Sequence, residues 1–519
     1  MKKIFFYYLL LNLVFSQNKI IQYPDFESKT LQNGLTTYVA KHTEQPAVFF
    51  KLLIPFGEFD LPSNQRGLAS MAADMLSKGT QNYNADEFSE AIESTGGSLF
   101  ASGGDEYTTI SGRFLKEDLS IGLELLSEML LKPTFPKDEW KLLKRQASEG
   151  VKTWHADAMT VARAHLYRLG FGDSPIGNIM TKSSLKNIDL VSMKNFHKRL
   201  VPQNSVFVLI GDIDISKANE LINQTFKDWE TGASNSIRED IQFKDISGIR
   251  FRLIDNPELE QATIGVGLKG IPANHEERHA LNLVNYIFGG HFSSRLNKTV
   301  RAEGGKTYGI SSQWQGFRDF GVVGVMTSTR VEEVRNTYDL IFNEMQKLVD
   351  SGITEDELTR AKSYITGSYP LRFESPTSYA DRVASNNYYG FTMDDRRNVL
   401  INRNAVTLQK VNEIAKKYYS PENFILVIVG NQKIIKETKF AKVIPMSIMK
   451  NDGDVIEVLE NSINSGCEGL MLKMLDSSYR AGMRGSNWLK LKREYQNELG
   501  DSLDSVSYTH LTLPTSDLV

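Results

Sequence analysis

The chain has 519 residues, is 41% hydrophobic and 24% charged, and carries a formal net charge of −3. That length exceeds a single hydrophobic core and implies about two to four domains. The composition is that of a globular protein, and the lack of basic excess argues against whole-chain binding to nucleic acid or anionic membrane. The one cysteine, Cys467, excludes an intrachain disulfide and argues against a redox role.

At the start, Lys2 and Lys3 precede an apolar run from Ile4 to Phe15, and the small Ser16 stands before Gln17. A basic start, a short apolar stretch and a small residue predict a secretory signal over residues 1–16. The run is too short for a permanent membrane span; a buried N-terminal strand is the alternative. No later stretch reads as transmembrane. The expected location is secreted, in the periplasm.

Next come β-branched or aromatic runs bounded by turn residues: TTYVA (36–40), AVFFKLLIP (47–55), YTTISGRFL (107–115) and SVFVLIGDI (205–213). Between them lie helices. Leu68, Met71, Ala72, Met75 and Leu76 keep helical spacing over 67–77, as do Leu119, Leu123, Leu126 and Leu130 over 117–131. The polar stretch GASNSIRED (232–240) is the natural linker. After it the plan recurs with ATIGVGLKG (262–270), YGISSQWQGF (308–317), FGVVGVMTS (320–328) and NFILVIVGN (423–431).

Two segment matches make the recurrence a duplication. VPQNSVFVLIGDI (201–213) matches YSPENFILVIVGN (419–431), with Pro202, Asn204 and Gly211 falling on Pro421, Asn423 and Gly430. KDEWKLLK (137–144) matches EDELTRAK (355–362), with Asp138, Glu139 and Lys144 falling on Asp356, Glu357 and Lys362. The shifts are 219 and 218 residues. We expect an α+β fold of two homologous domains, 17–235 and 249–438, joined by a linker at 236–248. Each is a mostly antiparallel sheet with helices packed on it.

GLASMAADMLSKGT (67–80) closely resembles the active-site helix of the insulinase/pitrilysin peptidase family, whose frame here is G-L-A-H-x-x-E-H-x-x-x-x-G-T. LQNGLTTYVA (31–40), STGGSLFASGGDEYTTISG (94–112), FGDSPIG (171–177) and the duplicated layout add to the resemblance, which covers about residues 25–438. In that frame two imidazoles one turn apart bind zinc, and the Glu between them activates the zinc-bound water. In this chain the two His positions hold Ser70 and Asp74, and the Glu position holds Ala73. The third family ligand, a Glu on a later helix, falls near Glu149, with the register one or two residues off. One Asp and one Glu cannot supply the three protein ligands of a catalytic site. The resemblance also implies half of a clamshell, closed by a partner.

In the second copy, LNKTVRAEGGKTYGISS (296–312) resembles a family stretch in which an Arg and a Tyr, here Arg301 and Tyr308, approach the active site from the partner domain. A guanidinium and a phenol can both donate to a polarised carbonyl oxygen; a solvated helix Arg and a plain strand Tyr are the alternative. Family members of this kind pair an active with an inactive subunit. The resemblance thus implies a non-catalytic, substrate-binding subunit of a zinc metallopeptidase. It needs no cofactor of its own; zinc and H-x-x-E-H belong to a catalytic partner acting on a peptide substrate. The other readings are a scaffold or binding protein without catalysis, and an independent zinc peptidase using HEERH (275–279). In the latter, His275 and His279 share a helix face and Glu276 is the base. That segment sits at the ordinary start of a second-copy helix with core face Ala280, Leu283, Val284 and Ile287, so we read it as a charged first turn. His155, His165 and His197 form no metal-spaced cluster and are read as surface or satisfied polar residues.

From about residue 440 the character changes. NSGCEGLMLKMLDSSYRAGMRGSNWLKLKREYQNELGDSLD (464–504) closely resembles part of the adenylation domain of ATP-dependent DNA ligases. EGLMLK (468–473) and NWLKLK (487–492) match nucleotide-contacting motifs, which implies that Glu468, Lys473, Lys490 and Lys492 would lie near a nucleotide in a complete ligase. The stretch lacks the K-x-D-G motif with the nucleophilic Lys, so no ligase activity and no nucleic-acid partner are expected. We read 440–505 as a chimeric ligase fragment and VSYTHLTLPTSDLV (506–519) as adapter read-through; a genuine fusion is the alternative.

Overall fold

Two apolar runs, VFVLIG at 206–211 and FILVIVG at 424–430, are buried at every position. A strand buried throughout needs both faces of its sheet covered, and the way this is met organises the molecule. The computed structural model describes residues 23–154, 156–232, 241–373 and 375–437, and the backbone of 469–473 and 488–492. The expected signal segment, His155, residues 236–240 of the linker and most of the tail lie outside the described residues.

The first sheet contains β1 (Glu27–Thr30), β2 (Thr36–Lys41), β3 (Ala47–Ile54), β4 (Ser98–Gly103), β5 (Thr108–Leu115) and β6 (Val206–Gly211) in the order β1-β2-β6-β3-β5-β4. The second contains β7 (Ile249–Asp255), β8 (Gln261–Gly270), β9 (Ile310–Gly316), β10 (Gly321–Arg330) and β11 (Phe424–Gly430) in the order β7-β11-β8-β10-β9. Apart from the extra β1, the two orders are the same. In each sheet one pair is parallel, β2 with β6 and β7 with β11, and the others are antiparallel. The fold is α+β, as the alternation of strand runs and helix runs implies.

The helices that matter below are α1 (Leu68–Met75), α2 (Leu119–Leu131), α3 (Lys137–Trp154), α4 (Ala158–Phe171), α5 (Arg278–Asn285), α6 (Glu355–Ser368), α7 (Pro376–Tyr388) and α8 (Val399–Asn404). One face of the first sheet, with Phe50, Leu52, Phe207 and Leu209, packs on its own helices through Leu68, Met75, Leu123 and Leu126. Its other face, with Phe49, Leu53, Val206, Val208 and Ile210, packs on Ala380, Val383 and Ala384 of α7, a helix of the second half. The second sheet mirrors this. Ile425, Val427 and Val429 of β11 pack on Val161, Ala162 and Leu166 of α4, a helix of the first half. Gly265 and Gly267 leave room for it: a Cβ at either would stand 3.0 and 3.2 Å from Leu166.

The halves therefore exchange equivalent helices, since 158 and 376 differ by the repeat shift of 218. Polar contacts tie the exchange. Lys51 pairs with Asp381 at 2.5 Å, Asn387 donates to the Tyr38 hydroxyl at 2.9 Å, and the Tyr389 hydroxyl donates to the buried Glu106 at 3.0 Å. The backbone of the tail forms one antiparallel hairpin, β12 (Gly469–Lys473) with β13 (Trp488–Lys492), placing Lys473 opposite Trp488, and Lys490 and Lys492 opposite Met471 and Gly469. Glu468 lies outside the described residues. Among the described residues no helix is long and apolar enough to cross a membrane.

Candidate functional site

Helix α1 lies against the edge of the first sheet. It keeps Leu68, Ala69, Met71, Ala72 and Met75 buried, so its apolar stripe still holds it to the core. Gly103, the last residue of edge strand β4, sits under its first turn. A Cβ there would lie 2.1 Å from the Ala69 carbonyl oxygen and 2.7 Å from the Ser70 nitrogen. Only a glycine permits that approach.

The start of α1 is closed by an acid that sequence reasoning did not single out. Glu58 is 6% exposed, and its carboxylate accepts from the amides of Gly67 at 3.0 Å and Ala69 at 3.0 Å. These are among the first helical N–H groups, which have no partner within the helix. Burial pushes the Glu58 carboxyl up, against the opposing pull of Arg66 and the Gly67 amide. Arg66 pairs with Asp105 at 2.5 Å. Glu58, Arg66, Ser70, Gly103, Asp105 and Met180 line a cavity of about 390 Å³ beside this helix end. The only advance signal for Glu58 was an acid nine residues before Gly67 in a chain segment of turn character.

At the degenerate motif itself, Ala73 is buried, Ser70 is half-buried and Asp74 is exposed. Partial desolvation moves the Asp74 carboxyl up, against Lys78. Glu149 on α3 points to solvent and pairs with Lys152 at 2.6 Å. Among the described residues no group of three His, Cys, Asp or Glu side chains is placed to hold a metal. Ser70, Ala73 and Asp74 offer neither imidazole nor, at the central position, a base.

HEERH is split by the fold. α5 begins at Arg278, so His275 and Glu276 precede the helix instead of sharing a face of it with His279. The His275 Nδ1 accepts from the Glu277 amide at 3.1 Å. The buried acid is Glu277, which binds Lys410 at 2.9 Å, Lys417 at 2.8 Å and Tyr418 at 2.7 Å. Burial opposes its ionisation, yet those hydrogen bonds pull its carboxyl down to about 2. His279 is buried, and burial followed by Arg278 and Arg403 holds its imidazole down at about 3. Of the remaining histidines, His197 contacts the Leu130 carbonyl at 2.7 Å and His165 contacts Arg252 at 3.1 Å, as satisfied polar residues do.

Arg301 and Tyr308 stand on the second half, at the turn of helix 297–303 and just before β9. The Arg301 guanidinium lies 4.3 Å from the centroid of the Phe292 ring. Tyr308 is 94% exposed and Phe292 is 70% exposed. The fold therefore leaves Tyr308 in solvent and Arg301 half-buried, with a ring the sequence did not flag against the guanidinium.

The family described as "Insulinase (Peptidase family M16)" matches residues 37–184, and "Peptidase M16 inactive domain" matches residues 187–365. The chain is 26% identical over 407 residues to an uncharacterized zinc protease YmxG of Bacillus subtilis, covering 77% of this chain and 97% of the relative. It is 25% identical over 396 residues to a non-peptidase homolog YmxG of Helicobacter pylori, covering 75% and 90%. A crystal structure of a peptidase M16 inactive domain from Pseudomonas fluorescens has the same fold, with TM-score 0.74 and 22% identity over 79% of this chain and 98% of that one. The tail differs. Residues 431–492 match an ATP dependent DNA ligase domain, and 75 residues are 67% identical to a DNA ligase of Nitrosopumilus maritimus, covering 14% of this chain and 13% of the ligase.

Proposed function

Because the chain belongs to the insulinase (M16) peptidase family, in a form whose metal and base positions hold Ser70, Ala73 and Asp74, we propose that it is the non-catalytic, substrate-binding subunit of a heteromeric zinc peptidase. In this reading it is secreted, and a partner chain with H-x-x-E-H supplies zinc and base. This chain supplies Arg301 and Tyr308 to the substrate or to the oxyanion that forms on its carbonyl.

The observation that carries the proposal is the solvent exposure of Tyr308 and of the Phe292 ring on which the half-buried Arg301 rests. A phenol 94% exposed contributes little to the fold, and the neighbouring guanidinium rests on an exposed ring. Side chains so placed are free to act on a second body. Edge strand β4 adds a surface suited to an extended peptide, which can pair with an unpaired strand edge. The inert α1 beside it keeps this edge in shape without cutting.

The test is reconstitution. The isolated chain should hold no stoichiometric zinc and cleave no peptide. With an M16 subunit bearing the intact motif, activity should appear. Arg301→Ala should then lower kcat/KM by roughly 100-fold, the cost of one oxyanion donor, with thermal stability unchanged. Full activity in that variant removes the assigned role. Failure of every intact-motif partner to activate, with peptide binding retained, favours a binding protein without a peptidase role. Chelator-sensitive cleavage by the lone chain sinks both.

A further inference from the structure

Five guanidinium groups meet at one corner of the second half. Arg372, Arg382 and Arg403 lie 5.8, 5.8 and 5.5 Å from the centroid of the Tyr369 ring, and Arg382 lies 5.5 Å from that of Phe373. Arg396, on the short helix Met393–Arg397, lies 5.9 Å from the Tyr38 ring and is 4% exposed. Arg278 lies 5.0 Å from the Phe391 ring and pairs with Asp395 at 3.2 Å. Among the described residues no other carboxylate pairs with any of the five. Arg403 feels the fields of Arg278, Arg372 and Arg382, and Tyr23 those of Arg382 and Arg396.

Among the described residues, four buried polar atoms at the same corner have no hydrogen-bond partner: Tyr23 Oη, His279 Nε2, Arg396 Nε and Arg403 Nε. Tyr23 is 7% exposed and His279 is 9% exposed. A buried donor left unpaired costs about 1–3 kcal/mol, and like charges in a low dielectric add to that cost. Burial holds the Arg403 guanidinium down to about 10, where it still carries its charge at neutral pH. Stacking on Tyr369 and Phe373 offsets part of the repulsion, but a ring face accepts nothing from an Nε–H in its own plane. The set of groups is complementary to a ligand with several acceptor oxygens and more than one negative charge. Phosphate fits both, and guanidinium forks match its geometry; Arg396 offers only its Nε, because its terminal nitrogens donate to Met393 Sδ and to the Val383 and Phe391 carbonyls. A single carboxylate offers two oxygens and one charge.

We propose that the corner bounded by Tyr23, His279, Arg372, Arg382, Arg396 and Arg403 is a binding site for an oxyanion of the phosphate class. It lies where the start of the described chain, with Tyr23, packs on Tyr369, Phe373 and Leu400 of the second half. Occupancy would fasten that segment to α8, which carries Leu400 and Arg403.

The test uses the full chain at neutral pH, with inorganic phosphate exchanged against chloride at constant ionic strength and thermal stability as readout. A saturable rise in Tm is expected, with half-saturation at or below about 1 mM. Arg372→Gln changes an exposed side chain and Arg382→Gln a half-buried one, so both should fold. Each should raise the half-saturation concentration about 10-fold or more. An equal rise with chloride, or unchanged phosphate response in both variants, overturns the site. Glu374 follows Phe373 in the sequence and lies outside the described residues. No response in the native chain together with a response in Glu374→Gln would mean that the chain's own carboxylate serves the cluster, and would also overturn the proposal.

Discussion

The carboxylate of Glu58 and the backbone amide of Gly67, nine residues apart, are held at 3.0 Å at the mouth of α1. The bond closes the start of the helix that carries Ser70, Ala73 and Asp74. Gly67 itself has a φ of 102°, which a side chain would strain.

Glu58→Ala should therefore destabilise the protein by about 1–3 kcal/mol, because buried amides lose their acceptor. Burial raises the Glu58 carboxyl, so the folded state holds its proton more tightly than the unfolded state does. That contribution is full in acid, below the ordinary value of 4.5, and is lost as pH rises through the folded value. The deficit of the variant in urea denaturation should thus widen toward acid pH. A deficit that shrinks in acid contradicts the assigned direction.

Gly103→Ala should cost about 1–3 kcal/mol, since the new methyl meets the backbone of α1 rather than a movable side chain. Gly150→Ala is the matched control. Its Cβ would meet nothing within 4 Å, and it lies on α3 four residues before the helix end at Trp154. It should stabilise by about 0.5–1 kcal/mol through helix propensity. Equal effects at the two positions would contradict the close approach of β4 to α1.

His279 predicts an acid weakness. Its imidazole is held down at about 3 in the fold, against 6.5 when free. The unfolded chain therefore takes up a proton first as pH falls. Stability from this group is full above 6.5 and declines from there toward 3. The loss is of order 2 kcal/mol at pH 5. His279→Leu should flatten this part of the pH–stability curve, and a slope unchanged in that variant would show that the ring is not held neutral.

The helix exchange predicts a shared fate for the two halves. Leu166→Ala removes an α4 side chain that fills the space over Gly265 and Gly267 of the opposite sheet. It should cost about 2–4 kcal/mol. Calorimetry should still show one transition for the described body, moved to lower temperature. Two separated transitions, with only the second half affected, would mean that the exchanged helices do not couple the halves.

The strands were largely legible in the sequence. YTTISGRFL, SVFVLIGDI and NFILVIVGN fall on β5, β6 and β11 within two residues at each end. Within the two large sheets three strands escaped notice, β1, β4 and β7. SLFASG carries two serines and a glycine on an exposed edge, and IRFRLID alternates arginine with apolar residues at another edge. Edge strands have one side free of partners, so their composition is less constrained. The identities of Ser70, Ala73 and Asp74 were also readable, and the structure adds their places on α1, with Ala73 buried, Ser70 half-buried and Asp74 exposed.

What the sequence could determine by itself was each residue's chemistry and each segment's period, and through them the duplicated plan and the altered motif. Only the tertiary structure decided which surfaces meet. It gave α4 and α7 to opposite sheets, turned Glu58 onto the first turn of α1, separated His275 from His279 and drew Arg372, Arg382 and Arg403 around Tyr369. The physical reason is that periodicity records that a face is buried, while the identity of what covers it depends on contacts between residues far apart in the chain. For α7 and β6 that separation is about 170 residues, which no local pattern encodes.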